Sequence, residues 1–131
     1  MENLRTVFRD KSLSERIVFI DGLSGSGKSM ISPLISSLES SEIWLINHIY
    51  EFTLIMHSLG HISLDAAETI IKTYVDLDCY NLMIGRNVNY RPTDDRSVQK
   101  NQLQNVYDER RLGDEGAIIE ERVNKENPIN I

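Results

Sequence analysis

The stretch "GLSGSGKS" holds the residues of this chain whose types and spacing could do chemistry. Glycine lets a backbone take positive φ angles and approach an anion without a Cβ clash. Consecutive N–H groups in such a turn bind phosphate oxygens, and a helix that begins there adds the positive end of its dipole. The lysine would contact the β- and γ-phosphates of a nucleoside triphosphate, and the last serine would coordinate Mg²⁺. The predicted phosphate-binding residues are Gly22, Leu23, Ser24, Gly25, Ser26, Gly27, Lys28 and Ser29.

The elements on either side of this stretch are predicted to be a strand and a helix. Before it, "RIVFID" (16–21) is apolar without alternation, which is typical of a strand buried on both faces. After it, residues 28–39 have apolar side chains at helical spacing. A second apolar run, "EIWLIN" (42–47), predicts another strand. This order favours two parallel strands joined by a right-handed crossover.

The rest of the chain is predicted to be mainly helical. Helices are expected over 50–59, 64–84, near 97–111 and over 115–125, with Ser63 or Asp65 and Asp114 as N-caps and a polar loop over 85–97. The final "INI" could begin a third strand. We therefore expect an α/β fold of three layers, a parallel sheet flanked by helices. Because sheets average about five or six strands, we expect residues 1–131 to be one nucleotide-binding domain that is incomplete at its C-terminus, the first part of a longer one.

The turn is similar to that of the P-loop nucleoside-triphosphate-binding superfamily. "GLSGSGKS" resembles the motif of adenylylsulfate kinases and "IDGLSGSGKS" that of cytidylate kinases, and the resemblance covers about residues 16–47. It implies a P-loop fold, ATP or GTP with Mg²⁺ as ligands, and phosphoryl transfer to a small-molecule acceptor with Lys28 as a catalytic residue. Adenylylsulfate kinases carry an Asp- and Asn-rich segment after the second strand, whereas this chain has "NHIYEF".

Acidic residues that could assist Mg²⁺ binding are few near the turn. Asp21 ends the first predicted strand, where it could hydrogen-bond the turn or lie in the second coordination shell of the metal bound by Ser29. Asp76 lies in a helical pattern and is expected on a helix surface. Because no second acidic motif accompanies the turn, a non-catalytic nucleotide-binding module is an alternative function.

A second alternative comes from "GRNVNYRPTDDRSV", which looks like a segment of some microbial P-loop sulfotransferase-like proteins. That resemblance implies a phosphoadenosine phosphosulfate donor and no need for Mg²⁺. Arginine suits bidentate contacts with phosphate or sulfate, so this loop could bind substrate. Its arginines could equally pair with the loop's own aspartates. The candidate substrate-binding residues are Arg86, Arg91, Arg96 and Ser97.

Composition limits the partners that we expect. The net charge of −6 argues against a general nucleic-acid binder and against docking on an anionic membrane. No apolar run approaches the roughly 20 residues needed to span a bilayer. Cys79 is the only cysteine, so neither a disulfide framework nor a cysteine-based zinc site is expected, and a reducing cytoplasmic location fits best. A nucleotide and a small molecule are the expected partners.

Overall fold

Helices make up most of the described chain, which in the computed structural model comprises residues 12–13, 16–38, 41–42, 45–101, 103–126 and 129–130. The helices are α1 (Lys28–Ser36), α2 (Ile49–Ser58), α3 (Leu64–Met83), α4 (Gln104–Leu112) and α5 (Glu115–Glu121), and α5 continues into a π-helical turn (Arg122–Glu126). The strands are β1 (Arg16–Ile17), β2 (Ser41–Glu42) and β3 (Ile129–Asn130). None of the described helices combines the length and apolar composition needed to span a bilayer.

Strand pairing is confined to two residues in each strand. β3 lies between β1 and β2 and pairs in parallel with both, so that Arg16 and Ser41 each lie opposite Ile129. A strand therefore does form within "INI". The prediction of a three-layer P-loop fold with a parallel sheet flanked by helices is wrong, because the described chain is mostly helical and has no sheet of that kind.

The predicted strand over 16–21 is reduced to β1 because its apolar residues are not covered, whereas residues 43–44 of the second predicted strand lie outside the described residues. Both residues of β1 are exposed, and Phe19, which follows them, is 60% exposed. The apolar stripe of α1 also faces solvent, with Met30 74% and Leu34 71% exposed. Parallel sheets form when helices cover both of their faces. An apolar run without alternation thus predicted a buried strand in a region where the described helices do not bury it.

The hydrophobic core lies instead among the helices that follow. Tyr50 of α2, Val75 and Leu82 of α3, Val98 of the loop after α3 and Tyr107 of α4 are buried together. The spacing of apolar residues predicted α2 and α3 to within one residue at each end. Burial of these side chains provides the main hydrophobic stabilisation of the described chain.

Side-chain caps begin two of the helices as predicted. Ser63 Oγ accepts a hydrogen bond from the N–H of Ala66 at 3.3 Å, and Asp114 Oδ1 accepts one from Ala117 at 2.8 Å. The predicted helix near 97–111 begins later, at Gln104. The segment before it forms turns rather than a helix.

A buried carboxylate joins β2 to the C-terminal helices. Glu42 is fully buried and accepts hydrogen bonds from Tyr107 Oη and Arg110 Nη1, both at 2.8 Å, and from Arg122 Nη2. Both arginine side chains are only 12% exposed. Burial, and then the charge of Glu42, raise the pKa of the Tyr107 phenol, which therefore remains a donor. Burying a carboxylate and two guanidinium groups costs much free energy unless these groups pair and hydrogen-bond with one another.

We expect Glu42→Gln to lower the free energy of unfolding by about 3–5 kcal/mol, because it removes the buried negative charge that Arg110 and Arg122 both contact. Urea denaturation followed by circular dichroism measures this loss. Asp95→Asn is the matched control, since Asp95 pairs with Lys100 at 2.9 Å on the surface. An exposed pair contributes at most about 1 kcal/mol. An equal effect of the two substitutions would contradict a stabilising role for Glu42.

Candidate functional site

The glycine turn, residues 22–29, leads from the extended segment after β1 into α1. Gly22, Gly25 and Gly27 have φ angles of 151°, 80° and 87°. A Cβ on Gly25 or Gly27 would meet nothing within 4 Å, so backbone conformation alone favours glycine there. A Cβ on Gly22 would lie 2.8 Å from Ser26 Oγ. The turn thus uses its glycines for positive φ angles and, at Gly22, also for a close approach.

Lys28 is the first residue of α1, and its side chain folds back over the turn. Its Nζ donates to the carbonyl oxygen of Gly22 and, at 3.4 Å, to that of Leu23. The carbonyl of Gly27 accepts the N–H groups of Met30 and Ile31 at 3.0 and 3.3 Å. The first N–H groups of a helix have no partner within it. The positive charge of Lys28 and the start of α1 therefore lie together at the turn.

Asp21 and Ser29 flank the turn on either side. Asp21 Oδ1 accepts a hydrogen bond from the N–H of Gly22 at 2.6 Å, which is one of the two roles predicted for it. Ser29 is exposed on the first turn of α1, where a ligand can reach its hydroxyl. Leu23, Ser24, Gly25 and Ser26 are exposed as well. The turn is therefore open to solvent over residues 22–26 and at Ser29, while Gly27 and Lys28 are partly covered.

The arginine loop, residues 86–97, makes its contacts within itself and with the helices. Arg86 forms an ion pair with Glu115 of α5 at 3.3 Å. Arg91 Nε lies 3.9 Å from Asp94 Oδ1, so this arginine does pair with an aspartate of its own loop. Both ion pairs are exposed to solvent. Residues 21–29 thus lie together in one turn. Arg86, by contrast, contacts α5, and Arg91 contacts its own loop.

Arg96 and Ser97 lie deeper in the protein. Arg96 is half-buried beside Tyr107 in the lining of a small cavity, and burial lowers the pKa of its guanidinium. Ser97 is fully buried, and its Oγ accepts a hydrogen bond from the N–H of Gln99 at 3.2 Å. The hydroxyl of Ser97 is thus used inside the protein rather than presented to a ligand.

Asp76 is the acidic residue whose position was predicted wrongly. It is 3% exposed, and its Oδ1 accepts a hydrogen bond from the N–H of Leu13 at 2.9 Å. The prediction placed it on a helix surface. Leu13 lies 63 positions before Asp76 in the sequence, and helical periodicity gives no sign of this contact.

A polar cluster around Asp78 was missed by the sequence analysis. Asp78 Oδ2 accepts hydrogen bonds from Tyr50 Oη at 2.8 Å and Asn47 Nδ2 at 3.2 Å. The ring of Phe19, two residues before Asp21, packs edge-on against Tyr50 with 5.8 Å between centroids. One signal was available: Asp78 lies at helical spacing from buried residues of α3, so a carboxylate interrupts an apolar face.

Comparison with protein families, with curated proteins and with solved structures gave no match to this chain. Functional inference therefore depends on the chemistry of the residues themselves.

We expect Gly27→Ala and Gly60→Ala to lower the free energy of unfolding by similar amounts, about 1–2 kcal/mol each. Gly60 has a φ of 75°, close to that of Gly27, and added Cβ atoms at both positions meet open space. The loss comes from backbone strain alone, and urea denaturation measures it. Unchanged stability in Gly27→Ala would show that the left-handed conformation at this position is not required.

Proposed function

We propose that the glycine turn binds the phosphates of a nucleoside triphosphate as its Mg²⁺ complex. The observation that carries the proposal is the conformation of the turn, with three glycines at positive φ directly before a helix whose first residue is Lys28. Backbones of this kind direct N–H groups toward one anion, and the start of the helix adds a favourable dipole.

Lys28 and Ser29 supply the side-chain chemistry of this proposal. The ammonium of Lys28 now donates to two turn carbonyls and would exchange them for β- and γ-phosphate oxygens. Mg²⁺ is usually held by one or two protein oxygens together with phosphates and water. The Ser29 hydroxyl fits that role, with Asp21 as a neighbouring carboxylate. The described residues contain no group of three His, Cys, Asp or Glu that could hold a metal by itself.

We propose binding without a chemical step. Phosphoryl transfer requires groups that position the acceptor as well as the nucleotide. Of the four residues predicted for a substrate, three make contacts with other parts of the protein, namely Arg86, Arg91 and Ser97. The fourth, Arg96, is half-buried in the lining of a small cavity. Sulfuryl transfer would depend on the same loop. The proposal of phosphate binding is supported, by contrast, by the positive φ angles of the turn and by its exposure to solvent.

Thermal unfolding with ATP, GTP and phosphoadenosine phosphosulfate, each with and without Mg²⁺, tests the proposal. A ligand at a hundred times its Kd adds about 2.7 kcal/mol of stability, which is several degrees for a domain of this size. We expect a Mg²⁺-dependent shift with ATP or GTP. A shift with the sulfate donor alone, independent of Mg²⁺, would contradict the proposal, as would no shift with any ligand.

We expect Lys28→Ala to abolish this ligand-dependent shift, because it removes the positive charge that neutralises the phosphates. Lys72→Ala is the matched control, since Lys72 also lies on a helix, outside the glycine turn, and forms an exposed pair with Glu68. The same measurement separates Gly27→Ala, which should lose the shift, from the equally strained Gly60→Ala, which should keep it. A full shift in Lys28→Ala would show that nucleotide binds elsewhere.

A further inference from the structure

A cavity of about 180 Å³ opens where the segment after β2 meets α3. The described residues that line it are Leu45, Ile46, Asn47, Asp78, Leu82 and Asn87. A water molecule occupies about 30 Å³ in the liquid, so this space suits a small organic molecule rather than a single water. The cavity is separate from the glycine turn and from the residues proposed there.

Asp78 is the charged group of this cavity, and two neutral donors fix its position. Tyr50 Oη and Asn47 Nδ2 both donate to Asp78 Oδ2. Asn47 is fixed in turn, because its Oδ1 accepts the N–H of Ile49 at the start of α2. A carboxylate has about four acceptor positions. These two hydrogen bonds use half of that capacity, so Asp78 can still accept hydrogen bonds from a ligand.

Asn87 brings a second polar group to the cavity. Its backbone has a φ of 46°, a left-handed conformation that asparagine tolerates better than most residues. Its carboxamide offers two donors and one acceptor atom. The other described lining residues, Leu45, Ile46 and Leu82, are apolar. The lining therefore combines acceptors, donors and an apolar surface.

We infer that this cavity binds a small neutral polyhydroxy compound, a sugar or polyol, through Asp78 and Asn87. Hydroxyl groups both donate and accept, so they match a carboxylate beside a carboxamide. An ammonium group only donates and would leave the N–H groups of Asn87 unmatched, while an anion would be repelled by Asp78. The C–H groups of a polyol would lie against Leu45 and Leu82. This inference does not depend on nucleotide binding.

Ligand-observed saturation-transfer NMR with D-ribose, myo-inositol and glycerol, in the absence of nucleotide, tests the inference. Ethanolamine and putrescine serve as amine probes. We expect saturable binding of at least one polyol, weakened about tenfold or more in Asp78→Asn and in Asn87→Gly. Asp95→Asn, which alters an exposed aspartate paired with Lys100, should bind like the unmodified protein.

The two variants distinguish loss of a ligand contact from loss of the fold. Asp78→Asn replaces the charged acceptor of Tyr50 and Asn47 by a neutral carboxamide, so its folding must be checked by circular dichroism. In Asn87→Gly the new glycine tolerates the positive φ at this position, so this variant should remain folded. Binding of amines in preference to polyols, binding of none of the probes, or polyol binding that survives in a folded Asn87→Gly protein would each overturn the inference.

Discussion

The arrangement of the described chain depends on one buried carboxylate. Glu42 accepts hydrogen bonds from Tyr107, Arg110 and Arg122, which are 65, 68 and 80 positions away in the sequence. Its burial would be very costly without these partners. Through them the end of β2 is fixed against α4 and the π-helical turn. The segment that follows β2 then reaches α3, where Asn47 meets Asp78.

The glycine turn, by contrast, is held mainly by local contacts. Asp21 bonds to the next residue, Ser26 N–H donates to Leu23, and Lys28 bonds to carbonyls five and six positions earlier. Its conformation therefore follows from its own sequence and needs no covering sheet. The wrong prediction of a three-layer fold thus does not remove the basis of the proposed phosphate binding, because that proposal depends on local backbone angles and on Lys28.

Apolar spacing and helix caps in the sequence correctly predicted the helices that contacts between near neighbours stabilise. Apolar spacing and the caps Ser63 and Asp114 gave α2, α3 and the start of α5, because helices are stabilised between neighbours three or four residues apart. The run "RIVFID" was misleading, since apolar composition does not show whether anything covers the strand. Glu42 looked like one polar residue at the start of a strand. Its three partners come from distant segments, which periodicity cannot bring together.

The most direct test of the central claim is a titration of the protein with Mg²⁺–ATP, followed by backbone amide chemical shifts. If the turn binds the phosphates, the largest shifts will occur at the N–H groups of Gly25, Gly27 and Ser29, which lie in the turn and at the start of α1. Unchanged amides at these positions, with larger shifts elsewhere or none at all, would contradict the account.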